Sequence, residues 1–450
     1  MGCMTTFHLL AEAKVPRYTS YPTAPHFSKA VGPRDYTQWL AALPEGAPLS
    51  LYLHIPFCRE LCSYCGCLTK ASRRSEPVER YAALLHREIE LIACFAGSKQ
   101  VTRIHWGGGT PSVLGGDLLA VHTTLGRHFD LCRIAEHAIE LDPRAVDERL
   151  VERLAQIGVG RASLGVQDIS PHVQQAIGRI QPPELVEAAV LSLRAAGVDK
   201  LSFDFMYGLP HQSVDDVRAN MDFAKRLRPQ RISLFGYAHV PWIRPHQRLI
   251  DASALPGAAE RLEQAETART LLIEAGYQAI GIDHFALPDD ELARAAREGW
   301  LRRNFQGYTT DNADALLGFG VSAIGQLPQG YVQNSPDQYL YALAITAGQP
   351  ATARGHAFSD DDRIRARIVE RLMCDLNVNL KSMAGEGAPA LIAEFQDRVG
   401  AILGADTDRM VRVEGSEIAV PEAGRPYIRL IASAFDSYLE QGCARHSVAV

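Results

Sequence analysis

Lysine is scarce, with only seven in 450 residues, and positive charge of any kind falls short of negative. The formal net charge is −6 and the sequence pI is near 6.2. Binding to nucleic acid requires a concentrated basic face, so this balance argues against a nucleic-acid surface. Long apolar runs are missing too: nothing approaches the ~20 residues a helix needs to cross a bilayer. The start of the chain lacks a charged segment followed by an apolar one, so a cytoplasmic protein is expected. Met1-Gly2-Cys3-Met4-Thr5-Thr6 formally fits a myristoylation pattern, but six loosely specified residues usually match by chance. The sequence has no H-E-x-x-H and no G-K-[ST] phosphate loop. Gly318-Phe-Gly320 fails as a dinucleotide motif because position 323 is Ala. Internal repeats and low-complexity tracts are likewise absent.

What remains is an ordinary globular composition, 47% hydrophobic and 22% charged, which can form a sizeable core. The length suits two or three domains, or one large α/β barrel with an appendage. Short apolar segments alternate with amphipathic ones. Strands are predicted at Leu49–Ile55, Val101–Trp106, Ala138–Leu141, Arg161–Val166, Leu201–Met206, Arg231–Tyr237 and Tyr277–Ile282. Helical spacing appears between most of them, at Arg80–Phe95, Leu118–Phe129, Pro183–Ala196, Val214–Leu227 and Ala259–Ala275. Repeated β–α units imply a parallel sheet, either a partial or complete barrel or an open doubly wound sheet.

The flanks differ. Residues 1–45 read as an irregular N-terminal arm, with Pro16-Arg17-Tyr18-Thr19-Ser20-Tyr21-Pro22-Thr23 too rich in turn formers for a helix. Residues 46–355 carry the β–α units, and 356–450 read as a small, mostly helical domain. Ser359 caps a helix running to about Cys374; Ala388–Leu403 and Arg425–Gln441 are further helices, and Met410–Val420 is a hairpin around Gly415. The combination is winged-helix-like. Its hairpin carries Arg412, Glu414 and Glu417, a balanced set that favours a lid or dimerisation element over a DNA reader.

Nine cysteines are present, and their placement is informative. Cys3, Cys94, Cys132, Cys374 and Cys443 are scattered, whereas Cys58, Cys62, Cys65 and Cys67 crowd into a single loop after the first strand. Such crowding in a chain without a secretion signal points to metal or redox chemistry instead of disulfides. Loops at the carboxyl ends of strands are where α/β folds build sites. Thiolates spaced three and two residues apart can hold three corners of a [4Fe–4S] cubane, leaving one iron open to an exogenous ligand. A structural zinc site is the alternative, but zinc loops usually pair two knuckles across a longer span, and no distant pair exists here.

Cys-x₃-Cys-x₂-Cys after a first strand resembles the radical S-adenosylmethionine (SAM) superfamily. Within it, Tyr52-Leu-His-Ile-Pro-Phe-Cys58 through Cys65-Gly-Cys67 is similar to the oxygen-independent coproporphyrinogen III oxidase family. The likeness continues through Pro16–Thr23, His105–Pro111, Gly165–Asp168, Asp204–Pro210, Tyr237–His239, Asp283–Phe285 and Arg303–Tyr308, and so covers nearly the whole chain. Cys67 belongs to the pattern of this family; related heme-chaperone-like proteins usually carry an aromatic there.

The resemblance implies a partial (β/α) barrel of the radical SAM type, a [4Fe–4S] cluster on Cys58, Cys62 and Cys65, and one or two molecules of S-adenosylmethionine. It places Gly108, Gly109 and Thr110 at the amino group of S-adenosylmethionine, Tyr64 against its adenine, and Tyr52 and Glu140 beside it, Glu140 at the ribose hydroxyls. Gln167, Arg179 and Asp204 match family positions around a second S-adenosylmethionine; Ile324 is placed against an S-adenosylmethionine, and Ala238 is a further cofactor-binding candidate. Tyr52, His54, Glu140 and Gln306 are the candidate catalytic residues; His54 follows Tyr52 by two positions on one strand and shares its face. Read without the resemblance, each is an ordinary polar residue: Glu140 a capping or pairing acid, His54 a satisfied core histidine. Tyr64 departs from the commoner Phe, and either ring can stack. The Pro16–Thr23 arm is expected either to fold over the barrel mouth or to serve as a packing strap.

The implied activity is oxidative decarboxylation of two propionates of coproporphyrinogen III to vinyl groups, giving protoporphyrinogen IX without oxygen in heme biosynthesis. An electron donor such as flavodoxin or ferredoxin, an unidentified electron acceptor and a monomeric enzyme are expected with it. Two competitors are a heme-binding or heme-transfer relative without decarboxylase activity, and a zinc-stabilised regulator acting on DNA.

Overall fold

The structure is a computed structural model that describes residues 10, 12–97 and 99–439; Met1–Thr6, Cys3, Cys443 and the end of the expected last helix lie outside these. Six strands rise in chain order, β1 (Leu49–Ile55), β2 (Val101–Gly108), β3 (Glu136–Leu141), β4 (Arg161–Gln167), β5 (Lys200–Tyr207) and β6 (Arg231–Gly236). They are followed by β7 (Gln278–Ile280), β8 (His284–Ala286), a small separate hairpin of β9 (Arg302–Asn304) and β10 (Gly307–Thr309), and then β11 (Ala315–Phe319), β12 (Ile324–Leu327), β13 (Gly330–Asn334) and β14 (Thr352–Ala357). One twelve-stranded sheet runs β14-β13-β12-β11-β1-β2-β3-β4-β5-β6-β8-β7. From β11 to β6 every neighbour is parallel, and at each end the pairing turns antiparallel. With its two edges unjoined, the sheet is the partial barrel, not the closed one.

Each strand forms for the reason its composition suggests. Along β1, Leu49, Leu51, Leu53 and Ile55 are fully buried against the helical layer, and Tyr52 and His54 alternate onto the opposite face. The helical layer includes α1 (Pro33–Ala41), α2 (Glu76–Ala96), α3 (Asp117–His128), α4 (Glu148–Gln156), α5 (Pro183–Ala195), α6 (Val214–Leu227) and α7 (Ala258–Glu274). On α2 the inward stripe of Val78, Tyr81, Leu85, Ile89 and Ile92 follows helical spacing, and Gly97 ends the helix.

At the end of the sheet opposite the cysteine loop, charges are buried in a network. Glu136 accepts from Arg103 (2.9 Å) and Arg161 (2.8 Å), while Asp290 holds Arg161 (3.3 Å) and Arg231 (2.8 Å). Burial pushes the Glu136 carboxyl up, but the three guanidiniums of Arg231, Arg161 and Arg103 outweigh it and hold the group at about 2.

Three expectations need correction. The arm is not irregular throughout, because α1 lies within it and buries Tyr36 and Leu40 in the barrel core; Pro33 at its first position and the Asp35 carboxylate on the Gly32 N–H (2.8 Å) start it. The segment 277–282 does not extend the parallel run. It is an antiparallel edge hairpin turned at Gly281, whose φ of +55° favours glycine and whose Cα lies hard against the Tyr308 ring. The helix expected over 425–441 is broken into a 3₁₀ turn at Glu422–Tyr427, which contains Pro426, and a short helix at Ile428–Ser433. Residues 434–438 then turn so that Asp436 accepts from the Tyr18 hydroxyl (2.9 Å) and Ser437 meets the Tyr21 hydroxyl (2.9 Å).

The C-terminal elements otherwise follow the pattern read from sequence. Helix α8 (Asp360–Asp375) starts from a capping box between Ser359 and Asp362, α9 (Ala388–Leu403) follows, and the 410–420 hairpin joins Asn377–Asn379 in a three-stranded sheet. Their shared core includes Leu10, Val15, Tyr18 and Tyr21 from the arm. No described helix is long and apolar enough to cross a membrane.

Candidate functional site

The cysteine loop leaves β1 at Pro56 and is stitched back onto the barrel by its own backbone. Ser63 N–H donates to Ile177 O (3.0 Å), Cys65 N–H to Cys62 O (3.2 Å) and Lys70 N–H to Pro56 O (2.9 Å). From across the mouth, the segment after β6 grips the loop's carbonyls: Arg244 bonds Gly66 O (2.7 Å), His246 bonds Cys65 O (2.7 Å) and Gln247 bonds Tyr64 O (2.8 Å). The loop is therefore anchored to the barrel from both sides of the mouth.

Around the thiols stand donors of the kind a thiolate sulfur uses. Cys58 Sγ accepts from Thr110 (3.3 Å) and Thr69 (3.4 Å), and Cys62 Sγ from Arg179 (3.6 Å) and Arg144 (3.9 Å). Burial pushes the Cys58 thiol up, against the two threonine hydrogen bonds. A hydrogen bond with Cys67 lowers the Cys65 thiol to about 6 and raises Cys67 in return. Among the described residues no three His, Cys, Asp or Glu side chains converge tightly enough to grip one ion. A cluster that takes one thiolate per iron needs no such convergence, so the three thiols with their donors fit it.

Beside the loop, β2 ends in Gly107-Gly108-Gly109. Gly108 sits at φ +111°, and a Cβ there would come within 2.8 Å of the His54 ring, so only glycine fits. The turn is pinned by Gly109 N–H to Ile55 O (2.8 Å), Thr110 N–H to Phe57 O (2.8 Å) and Gly108 N–H to the Glu140 carboxylate (3.0 Å). Burial would raise Glu140, but the hydrogen bond and charge of His105 (3.1 Å) hold it below the usual range and keep it ionised. Polar side chains continue along the inner face: Ser163 donates to Asp204 (2.8 Å), whose carboxyl burial pushes up. Gln167 closes β4 in the left-handed region at φ +64°, a strained conformation of the sort that sites retain. Arg179 bonds Gly165 O (2.7 Å) and Asp142 (3.2 Å); burial opposes its charge, and Tyr64, Asp142 and Cys62 more than restore it.

Twelve of the residues singled out from sequence line one cavity of about 590 Å³: Cys58, Cys62, Tyr64, Cys65, Gly108, Gly109, Thr110, Glu140, Gln167, Arg179, Asp204 and Ala238. Tyr52 and His54 do not line it. They are hydrogen-bonded to each other (2.9 Å), with the Tyr52 ring on His105 and the His54 ring under Gly108. Ile324 also lies outside the lining; its carbonyl packs on Gly318, the β11 partner of Tyr52. Gln306 sits exposed at the β9–β10 turn and is not brought to this cavity. The arm lies packed down, with Val15, Pro16 and Arg17 forming part of the cavity wall.

Comparison with known proteins agrees with this geometry. The family model of the radical SAM superfamily matches residues 52–224. The oxygen-independent coproporphyrinogen III oxidase of Bradyrhizobium diazoefficiens is 47% identical over 443 residues, covering 98% of both chains. That of Paracoccus denitrificans is 43% identical over 443 residues with the same coverage. The chain belongs to the oxygen-independent coproporphyrinogen III oxidase family. A solved structure of coproporphyrinogen III oxidase from Escherichia coli, described as a radical SAM enzyme, superposes with a TM-score of 0.89 at 36% identity, covering 95% of this chain and 100% of that one. Its cofactors are thus those of the superfamily, a [4Fe–4S] cluster and S-adenosylmethionine. Membership in this oxidase family supports neither the heme-transfer reading nor the zinc-regulator reading.

Sequence reasoning assigned no role to Asp142, Arg144, Thr69 or the Arg244–Gln247 clamp. The first two could have been found, because Asp142-Pro143-Arg144 directly follows a strand at its carboxyl end. The clamp carries no spacing signal linking it to a loop almost 180 residues earlier.

Proposed function

We propose that this chain converts coproporphyrinogen III to protoporphyrinogen IX without oxygen, in the cytoplasm and as a monomer, by oxidative decarboxylation of two propionates. The observation that carries the reading is the single cavity in which three thiols meet Gly108–Thr110, Glu140, Gln167, Arg179 and Asp204. An unactivated propionate C–H cannot be deprotonated by any side chain at ordinary pH, so acid–base catalysis alone is insufficient. Together, the cluster and S-adenosylmethionine supply a carbon radical able to remove that hydrogen. For a vinyl group to form, hydrogen must leave the carbon next to the one bearing the carboxylate. The bond to the carboxylate then breaks, carbon dioxide departs, and one electron passes to an acceptor. A reductant such as flavodoxin or ferredoxin supplies the electron that starts each cycle.

The chain's own residues bind, orient and exclude water. Cys58, Cys62 and Cys65 hold the cluster, and the threonine and arginine donors offset the negative charge on their sulfurs. Gly108, Gly109 and Thr110 present backbone to the amino group of S-adenosylmethionine, Tyr64 faces its adenine, and ionised Glu140 accepts from ribose hydroxyls. Gln167, Arg179, Asp204 and Ala238 form the opposite wall, where Arg179 suits a carboxylate and Asp204 suits hydroxyls. Tyr52 and His54 support the glycine turn from beneath.

An anaerobic assay tests this directly. Reconstituted protein, S-adenosylmethionine, reductant, acceptor and coproporphyrinogen III should give protoporphyrin together with 5′-deoxyadenosine, and Cys62→Ala should give neither. Abundant 5′-deoxyadenosine without decarboxylated porphyrin would reject the substrate while leaving the cofactor assignment in place.

A further inference from the structure

Glu88 on α2 is a carboxylate buried in the barrel core at 1% exposure, and it does not line the cluster cavity. Both of its oxygens are engaged. Oε1 accepts from Asn334 Nδ2 (2.6 Å), and Oε2 accepts from the Gly320 N–H (2.7 Å) and the Tyr341 hydroxyl (2.7 Å). Among the described residues no cation pairs with it, so three neutral donors hold the charge. Burial pushes the carboxyl up to about 7, against the hydrogen bonds from Tyr341, Gly320 and Asn334. An apolar side chain of similar volume would pack there at lower cost.

What Glu88 holds is the turn between β11 and β12. Gly320 stands there at φ +98° and Ser322, which is not a glycine, at φ +61°, so the turn needs outside support to keep its shape. Asn334 adds a second bond, from Nδ2 to Gly320 O (2.9 Å). Two helical turns before Glu88, the Tyr81 hydroxyl donates to His54 O (2.6 Å) and accepts from the Val321 N–H (3.0 Å), which fastens the same turn to the end of β1. A side chain on Gly320 would run into both the Tyr81 hydroxyl and the His54 carbonyl. His54 in turn bonds Tyr52 and packs its ring under Gly108. An unbroken series of contacts therefore runs from Glu88 through Gly320 and His54 to Gly108.

We propose that Glu88 is a positioning residue for S-adenosylmethionine: by holding the 320–323 turn against His54, it sets the height of the Tyr52–His54 pair beneath Gly108. The inference rests on the proposed placement of S-adenosylmethionine at Gly108, Gly109 and Thr110. Only a group that accepts on both oxygens suits the arrangement. In Glu88→Gln one oxygen becomes an NH2. At the Oε2 position that NH2 faces the Gly320 N–H, a donor that cannot be turned round. At the Oε1 position it faces Asn334 Nδ2, and flipping that amide gives up its bond to Gly320 O. Either way Gly320 loses one of its two bonds to these side chains. A proton on either carboxylate oxygen weakens the same bonds, so affinity should fall as pH drops through about 7. The titratable groups that feel the charge of Glu88 are the hydroxyls of Tyr36 on α1, Tyr81 on α2 and Tyr341 on the helix Gln338–Thr346; burial pushes all three well above the ordinary phenol value, and they stay neutral throughout.

Equilibrium dialysis of S-adenosylmethionine against reconstituted protein tests this. Glu88→Gln should raise the dissociation constant about fivefold or more. Iron and acid-labile sulfide should stay at wild-type values, while amide exchange quickens over residues 318–324. Wild-type affinity should fall as pH is lowered through about 7, and in Glu88→Gln that step should be absent. Tyr341→Phe keeps the ring and removes one donor from the carboxylate, so it should move the step to higher pH. Glu90→Gln, at an exposed acid of the same helix, should leave both the affinity and the step as in wild type. Should Glu88→Gln fail to fold, the step in Tyr341→Phe decides alone. Affinity within about twofold of wild type in folded Glu88→Gln, or an unmoved step in Tyr341→Phe, would overturn the inference; weak binding by Gly108→Ala in the same series would leave the placement of S-adenosylmethionine standing. Full affinity in Gly108→Ala would instead overturn that placement.

Discussion

Gly108 shows how tightly individual residues are specified at the mouth of the barrel. Its φ of +111° and the 2.8 Å approach of the His54 ring to any added Cβ leave no room for a side chain. Gly108→Ala is expected to cost about 1–3 kcal/mol of stability and to lower affinity for S-adenosylmethionine at least tenfold. Calorimetry and equilibrium dialysis read the two effects separately, and full affinity in a destabilised protein would remove the turn from the cofactor site. Among the cysteines, Cys58→Ala, Cys62→Ala and Cys65→Ala should each abolish bound iron and acid-labile sulfide after reconstitution. Cys67→Ala should retain both, because the family resemblance puts the cluster on the other three thiols. Loss of iron in Cys67→Ala would contradict that division.

At the level of elements, the buried network beneath the barrel joins β2, β3, β4 and β6 through Glu136 and Asp290. The Glu136 carboxyl titrates near 4.5 when unfolded and about 2 when folded. A depressed folded value means that its contribution is complete above the unfolded pKa and is lost as pH falls from about 4.5 towards 2. The shift corresponds to about 3 kcal/mol as an upper bound, since burial and Arg161 press Arg231 the opposite way. Removing one partner leaves the arginines uncompensated, so Glu136→Gln should destabilise by about 3 kcal/mol or more, and denaturant unfolding should show its acid sensitivity reduced over that pH window. A second element depends on Gly281: Gly281→Val places a branched Cβ against the Tyr308 ring and should open the edge hairpin, seen as faster amide exchange in Gln278–Ala286.

Most elements were readable because a buried parallel strand and an amphipathic helix leave different apolar periods, as in Leu49–Ile55 and residues 76–96. The broken helix after Arg425 was not, since the contact of Asp436 and Ser437 with Tyr18 and Tyr21 joins residues more than 400 positions apart. The site divides in the same way. Cys58, Cys62 and Cys65 announce themselves by spacing, whereas Glu140, Arg179 and Asp204 sit on separate strands and loops and are united only by the barrel.

Across the whole molecule, the arm couples the two main hydrophobic cores. Val31, Tyr36 and Leu40 belong to the barrel, while Val15, Tyr18 and Tyr21 belong to the C-terminal core, and the cavity wall of Val15, Pro16 and Arg17 lies at the latter end. Tyr18→Phe removes the hydrogen bond to buried Asp436 and should cost about 1–3 kcal/mol, with the arm becoming the first site of limited proteolysis. Unchanged cleavage would show that apolar packing alone holds it. Because Val15, Pro16 and Arg17 wall the cluster cavity, release of the arm should raise the KM for substrate before it affects cluster content.

The central claim is that a hydrogen leaves the propionate carbon adjacent to the one carrying the carboxylate and is captured through S-adenosylmethionine. Coproporphyrinogen III deuterated at that carbon, incubated anaerobically with reconstituted enzyme, reductant and acceptor, tests it in one mass spectrum. The account predicts deuterium in 5′-deoxyadenosine and matching amounts of vinyl product. Undeuterated 5′-deoxyadenosine accompanying vinyl product would contradict it.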